Sequence, residues 1–169
     1  MSTEPKLLYH GSLFQQTELM PGYKRTGKIT SWDKTESNQF LYATSVKDTA
    51  IELGFASAIE KMFDVEHFRC HGGEIHITTD KPVGLADLCN VTVYLYTIRN
   101  LDKDSWLKND NQHNGLTTEY KTDRTIMAID SCVEVDIAQW IKSYKVFVRK
   151  TNQSKEVALE AHSESRYSW

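Results

Sequence analysis

Apolar and polar positions divide the chain into a helical first part and a strand-rich remainder. The stretch LLYHGS opens it: Lys6 to His10 reads as a first strand, stopped by Gly11-Ser12. Residues 15 to 39 are then mostly polar and turn-forming, with Pro21-Gly22, Gly27, Asp33 and Asn38. So long a segment without periodicity predicts a binding loop or lid. A short apolar piece follows, Phe40-Leu41-Tyr42-Ala43. Ser45 with Asp48 three residues later resembles a capping pair. Behind it Val46, Ala50, Leu53, Ile59, Met62 and Phe63 recur at helical spacing, which predicts a helix over 46–63.

Further on, Glu74 to Thr78 alternates, and Val91 to Ile98 (VTVYLYTI) is rich in β-formers. Residues 100 to 116 are polar again. Thr117–Thr122, Thr125–Asp130 and Tyr144–Arg149 read as strands, with a short helix over Asp136–Tyr144. Beyond Lys150 the tail is polar, is expected to be partly helical to Ala161, and ends in SESRYSW. No repeat or Pro/Gly-rich linker divides the chain. A strand, one main helix and then mostly strands predicts a single α+β domain over 1–169, with its core in about 6–149.

Composition narrows the class. With 169 residues, 40% of them hydrophobic, the chain can bury one continuous core, and 11% aromatics is not a disordered composition. A net charge of −3 with mixed signs argues against a general nucleic-acid coat. MSTEPK lacks the apolar centre of a signal peptide, and no stretch has the length of a membrane span. Cys70, Cys89 and Cys132 are odd in number and scattered, as expected of reduced thiols. The expectation is a soluble cytoplasmic protein without a membrane partner.

Three pieces carry candidate chemistry: LYHGS at 8–12, LYATSVKDTA at 41–50 and TTEYKT at 117–122. Each lies at a predicted strand edge beside a long polar loop, and each offers one useful group: His10, Tyr42 and Glu119. Singly, His10 reads as a structural histidine and Tyr42 as core. Glu134 or Glu74 would replace Glu119 if the strand assignment slipped. Their joint order is more specific. It resembles the ADP-ribosyltransferases with a His-Tyr-Glu triad, which include poly(ADP-ribose) polymerases, diphtheria-type toxins and small rifamycin ADP-ribosyltransferases. LMPGYKRTG at 19–27 is similar to the loop after the first strand in the small bacterial members.

The resemblance implies a split antiparallel β-sheet core with one main helix after the second motif, and NAD⁺ as co-substrate without a metal. By the same resemblance His10 holds a ribose hydroxyl, the Gly11 backbone and Ser12 meet the carboxamide, and Tyr42 stacks on nicotinamide. Glu119 stabilises the oxocarbenium-like sugar and orients the acceptor, as carboxylates do in glycoside chemistry generally. In the polymerase branch a serine and a second aromatic on the helix complete the pocket; here those places hold Ala50 and Leu53, with Phe55 nearby. The arginine-modifying branch starts from an arginine and carries Glu or Gln two residues before its glutamate, where this chain has His10 and Thr117.

The expected activity is mono-ADP-ribosyl transfer to a protein, nucleic acid or small molecule. The 15–39 loop would cover the donor and the 100–116 loop would face the acceptor. NAD⁺ hydrolysis and a non-catalytic NAD⁺- or ADP-ribose-binding module are the alternatives. A second cluster, His67, Cys70, His71, His76 and Cys89, has metal-capable side chains, but neither CxxC nor HExxH spacing. It predicts a loop running into a strand, with Gly72-Gly73 as the turn.

Overall fold

The computed structural model describes residues 5–21, 39–100, 105–108 and 119–159. The fold is mixed α+β, with ten strands in two sheets and few helices among the described residues. The strands are β1 (Leu7–Ser12), β2 (Leu41–Thr44), β3 (His67–His71), β4 (Glu74–Thr78), β5 (Tyr94–Arg99), β6 (Leu107–Lys108), β7 (Glu119–Thr122), β8 (Ile129–Glu134), β9 (Lys145–Arg149) and β10 (Glu156–Leu159). The helices are α1 (Lys47–Phe63), α2 (Leu85–Cys89) and α3 (Ile137–Trp140), the last running into a 3₁₀ turn at Ile141–Ser143. One sheet has the order β6-β7-β2-β1-β5-β8 and is antiparallel throughout. The other, β10-β9-β4-β3, contains one parallel pair, β4 with β9.

Alternation along the strands sorts the core into two clusters on opposite faces of the six-stranded sheet. Leu8, Leu41, Ala43, Tyr96 and Ile98 bury one face together with Leu19, Trp106 and Ile126. On the other, Leu95 joins Ala50, Ile51, Phe55 and Ile59 of α1, which meet Ile75, Ile77, Val146 and Val148 of the second sheet. Helix α1 thus seals both sheets with one apolar stripe.

Its approach to β1 is unusually close. A Cβ on Gly11 would overlap the carbonyl oxygen of Ala50, and one on Gly54 would lie 2.7 Å from Val93 Cγ1 and 3.0 Å from Gly11 Cα. Two glycines face each other because neither element has room for a side chain there. This also corrects the expected end of β1. Gly11 and Ser12 do not stop the strand; they pair with Leu95 and Tyr94.

Other boundaries move for identifiable reasons. Ser45 does not cap α1: Val46 is the N-cap without a side-chain bond, and the Thr44 hydroxyl accepts the Val46 N–H at 3.1 Å. The strand expected at Thr125–Asp130 begins only at Ile129, because Ile126 forms an isolated bridge with Leu19. His67–His71 is a strand rather than a loop, joined to β4 by Gly72 and Gly73 at φ +60 and +75. Both residues of such a tight hairpin turn need positive φ, which glycine adopts without strain. The tail is not helical over Glu156–Leu159, which pairs antiparallel with β9. Residues 22–38, 109–118 and 160–169 include parts of the predicted loops, strand and tail that lie outside the described residues.

His76 ties β10 down. Its Nδ1 and Nε2 lie 2.9 Å from Glu156 and Glu74 respectively, and its ring stacks on Phe147 of the intervening β9. Only the imidazolium donates from both nitrogens, so the bond to Glu156 and then that to Glu74 raise the His76 pKa above its ordinary 6.5.

Two outcomes follow. Gly11→Ala is expected to cost about 1–3 kcal/mol, the usual range for forced overpacking, as measured by urea unfolding. The His76 clamp contributes fully below the unfolded pKa near 6.5 and is lost as pH rises through the raised folded value. The Tm difference between wild type and His76→Gln is therefore expected to be largest near pH 6 and to shrink on going alkaline. A difference independent of pH would mean that the clamp does not titrate.

Candidate functional site

The three candidate motifs fall on adjacent strands. β1 lies between β5 and β2, and β2 pairs with β7, so His10, Tyr42 and Glu119 occupy three neighbouring strands. The parity of the hydrogen bonds decides what each residue presents. Asn100 N–H donates to Lys6 C=O at 3.0 Å, one step before Leu7 pairs with Arg99. Even-numbered positions of β1 therefore bond to β5, whereas Leu7, Tyr9 and Gly11 turn their backbone groups towards β2.

Tyr9 uses those groups on Thr44, and there the register stops. It is the one β1–β2 pair among the described residues, against six pairs between β1 and β5 and four between β2 and β7. Continued one step, the register would set Gly11 against Tyr42. Instead the carbonyl of Tyr42 accepts a hydrogen bond from His10 Nδ1 at 2.7 Å. An imidazole replaces the next step of the ladder, and the Gly11 N–H and C=O face the opening it props. A neutral His10 that donates from Nδ1 presents Nε2 as an acceptor.

His10 reaches this position from the far face of the sheet. Its strand partner is Tyr96, whose ring centroid lies 6.2 Å away. Burial pushes the Tyr96 phenol up to about 12, so it stays protonated. It donates to Phe14 C=O at 2.7 Å and accepts from Gln16 N–H at 2.6 Å, fixing the chain just beyond β1. Ser12 is buried, and its Oγ accepts the Phe14 N–H at 3.1 Å, which leaves the hydroxyl proton for donation.

The face towards α1 holds the other two groups. Thr44 commits its backbone to Tyr9, so its pairing with Glu119 is of the non-hydrogen-bonded kind, with Cβ atoms about 4.5–5.5 Å apart. Glu119 is only 7% exposed and Thr44 only 1%. By the same parity Tyr42 stands beside Lys121, and Lys121 beside Leu107 of β6. Two parallel rows result: Tyr9, Thr44 and Glu119 in one, Tyr42, Lys121 and Leu107 in the next. The Tyr42 ring meets Phe40 edge-on at 6.4 Å, and Lys121 Nζ lies 4.6 Å from the centroid of Phe40.

The rival carboxylates are elsewhere. Glu74 is bonded to His76 in the second sheet, and Glu134 is exposed on β8. Among the described residues no group of three His, Cys, Asp or Glu is arranged to hold a metal. The Cys70 thiol is pushed up to about 12 by burial and by the nearby Glu52 carboxylate. Burial also raises Cys89. Phe55 is fully buried against Phe68 and Trp140, so it does not reach the opening. No described helix is long and apolar enough to cross a membrane.

Comparison adds no precedent. No family model, curated protein or solved structure matches the chain.

Thr44, Phe40 and Lys121 escaped the sequence reading. Alternation in LYAT and EYK would have set Tyr42 with Thr44 and Glu119 with Lys121 on common faces, but their shared register is non-local. The geometry predicts one tautomer. In ¹⁵N NMR His10 is expected to show a protonated Nδ1, the nitrogen that faces the Tyr42 carbonyl. The reverse assignment would remove the bond that props the opening.

Proposed function

We propose that the chain is an NAD⁺-dependent mono-ADP-ribosyltransferase with the split-sheet core of that superfamily, acting in the cytoplasm. The observation that carries this reading is the opening between β1 and β2, where His10 takes the Tyr42 carbonyl and the Gly11 peptide turns inward, one strand away from the buried Glu119.

His10 and Ser12 stand on one face of the sheet and Tyr42 and Glu119 on the other, so the proposed ligand lies across the break in pairing between β1 and β2. The Gly11 N–H and C=O are a donor and an acceptor side by side, complementary to a primary carboxamide. Ser12 retains a hydroxyl proton for the same group. Tyr42 offers a flat surface for a pyridinium, and His10 Nε2 accepts from a ribose hydroxyl. Glu119 sits with Thr44 in the neighbouring row, where a buried carboxylate acts strongly on positive charge developing at the sugar. The leaving nicotinamide departs neutral and needs no proton. The reaction therefore asks mainly for electrostatics and placement, which a buried carboxylate and fixed hydrogen-bonding groups supply.

β6, part of the 100–116 segment expected to face the acceptor, flanks β7 on the side away from β2, which supports an acceptor approaching from that edge. The retained carboxylate favours transfer over simple binding. Water as acceptor would make the same site an NAD⁺ glycohydrolase.

Nicotinamide release from NAD⁺ tests the reading. Glu119→Gln is expected to lower turnover about 10²–10³-fold while leaving NAD⁺ affinity within a few-fold, because the charge acts in the transition state. Release by the wild type with labelled transfer into lysate would separate transfer from hydrolysis. Absence of both release and NAD⁺ binding in the wild type would overturn the proposal.

A further inference from the structure

Lys121 is a charged residue of the site that the resemblance leaves without a role. It lies two positions after Glu119 on β7, hence on the same face, with Cα atoms about 6.6 Å apart at the usual strand rise. It is directly across from Tyr42, half-buried, and its ammonium is held over Phe40, whose ring meets that of Tyr42 edge-on. One strand thus carries a cation in the Tyr42 row and an anion in the Thr44 row.

We propose that Lys121 is an electrostatic determinant of nicotinamide release, destabilising the pyridinium charge of bound NAD⁺ so that breaking the glycosidic bond relieves a like-charge contact. The inference rests on the reading of Tyr42 as the nicotinamide platform and Glu119 as the ribose carboxylate. The charge balance is simple. The bond from ribose C1′ to the pyridinium nitrogen breaks, and its electron pair goes to nitrogen, which becomes neutral. The positive charge passes to the sugar, as an oxocarbenium. The acceptor then supplies the pair for the new C1′ bond and loses its proton to Glu119 or to water. Positive charge therefore moves away from the Lys121 row towards the Glu119 row, in the direction that the two side chains jointly favour. Interactions that change between ground and transition state alter turnover, not only affinity.

The same contact discriminates between ligands. NADH has the shape of NAD⁺ but a neutral dihydronicotinamide, so Lys121 disfavours the oxidised form selectively. Two unit charges about 6 Å apart at a partly hydrated site interact at about the level of a tenfold change in an equilibrium constant.

The test compares Lys121→Met, which keeps the stem and removes the charge, with wild type and Lys121→Arg. Affinities for NADH and for a carbocyclic NAD⁺, which retains the pyridinium and is not cleaved, are measured by calorimetry beside nicotinamide release. Lys121→Met is expected to shift the ratio of the two affinities about tenfold towards the cationic ligand and to slow release about tenfold, with Lys121→Arg close to wild type. Slower release with an unchanged affinity ratio would place Lys121 in positioning Glu119 and overturn the proposal, as would no effect on either. Failure of the wild type to bind NAD⁺ or release nicotinamide would instead overturn the functional reading beneath it.

Discussion

A single hydrogen bond, from His10 Nδ1 to the carbonyl of Tyr42, holds the arrangement that gives this chain its candidate site. Without it the Tyr42 carbonyl would lose the donor that β1 supplies, and an acceptor left unsatisfied away from water costs about 1–3 kcal/mol. With it the two strands remain adjacent but unzipped, and the Gly11 peptide is presented edge-on to whatever enters. The imidazole thus serves the backbone through Nδ1.

The opening is framed by a packing constraint on the opposite side of β1. Helix α1 starts directly after β2 and crosses β1 where Gly11 meets Ala50 and Gly54. The sequence motif invites a simpler explanation for Gly11, that a ligand needs the absent side chain. The structure gives another reason: the helix occupies that space. The two are compatible, because a peptide pressed against a helix on its Cα side still turns its N–H and C=O sideways, in the plane of the sheet. Fold stability and site geometry thus rest on one residue.

The elements most legible in sequence were those with local periodicity. The apolar spacing from Val46 to Phe63 found α1 to within a residue, and the alternation from Glu74 to Thr78 found β4. Elements decided by distant partners were misread. Gly11-Ser12 looks like a strand terminator but continues β1, since β5 offers it partners through Tyr94. Glu156–Leu159 has helix-forming residues but lies as a strand, because β9 has an edge to fill and His76 reaches across to Glu156. Ile126 looks like mid-strand and instead bridges Leu19 from outside β8. The site was partly legible for the same reason. His10, Tyr42 and Glu119 could be named as candidates, and the structure sets them on neighbouring strands, but the unzipping between β1 and β2, and the rows that place Thr44 and Lys121, depend on register across some thirty to eighty residues.

The close helix also bears on the second side of the nicotinamide pocket. Ala50 and Gly54 are small because α1 rests on β1 there, so neither has a side chain to offer a ligand. Phe55 is spent on the core. Leu53, one turn from Ala50 and 39% exposed, is the helix side chain left with surface to present. On the proposed reading the ring would lie between an aromatic face at Tyr42 and an aliphatic one at Leu53. An aliphatic wall gives dispersion contact but no cation–π attraction, so it holds pyridinium and neutral nicotinamide about equally. Discrimination between the two charge states then falls to the β-sheet side of the pocket, where Tyr42 and Lys121 act on that charge in opposite senses.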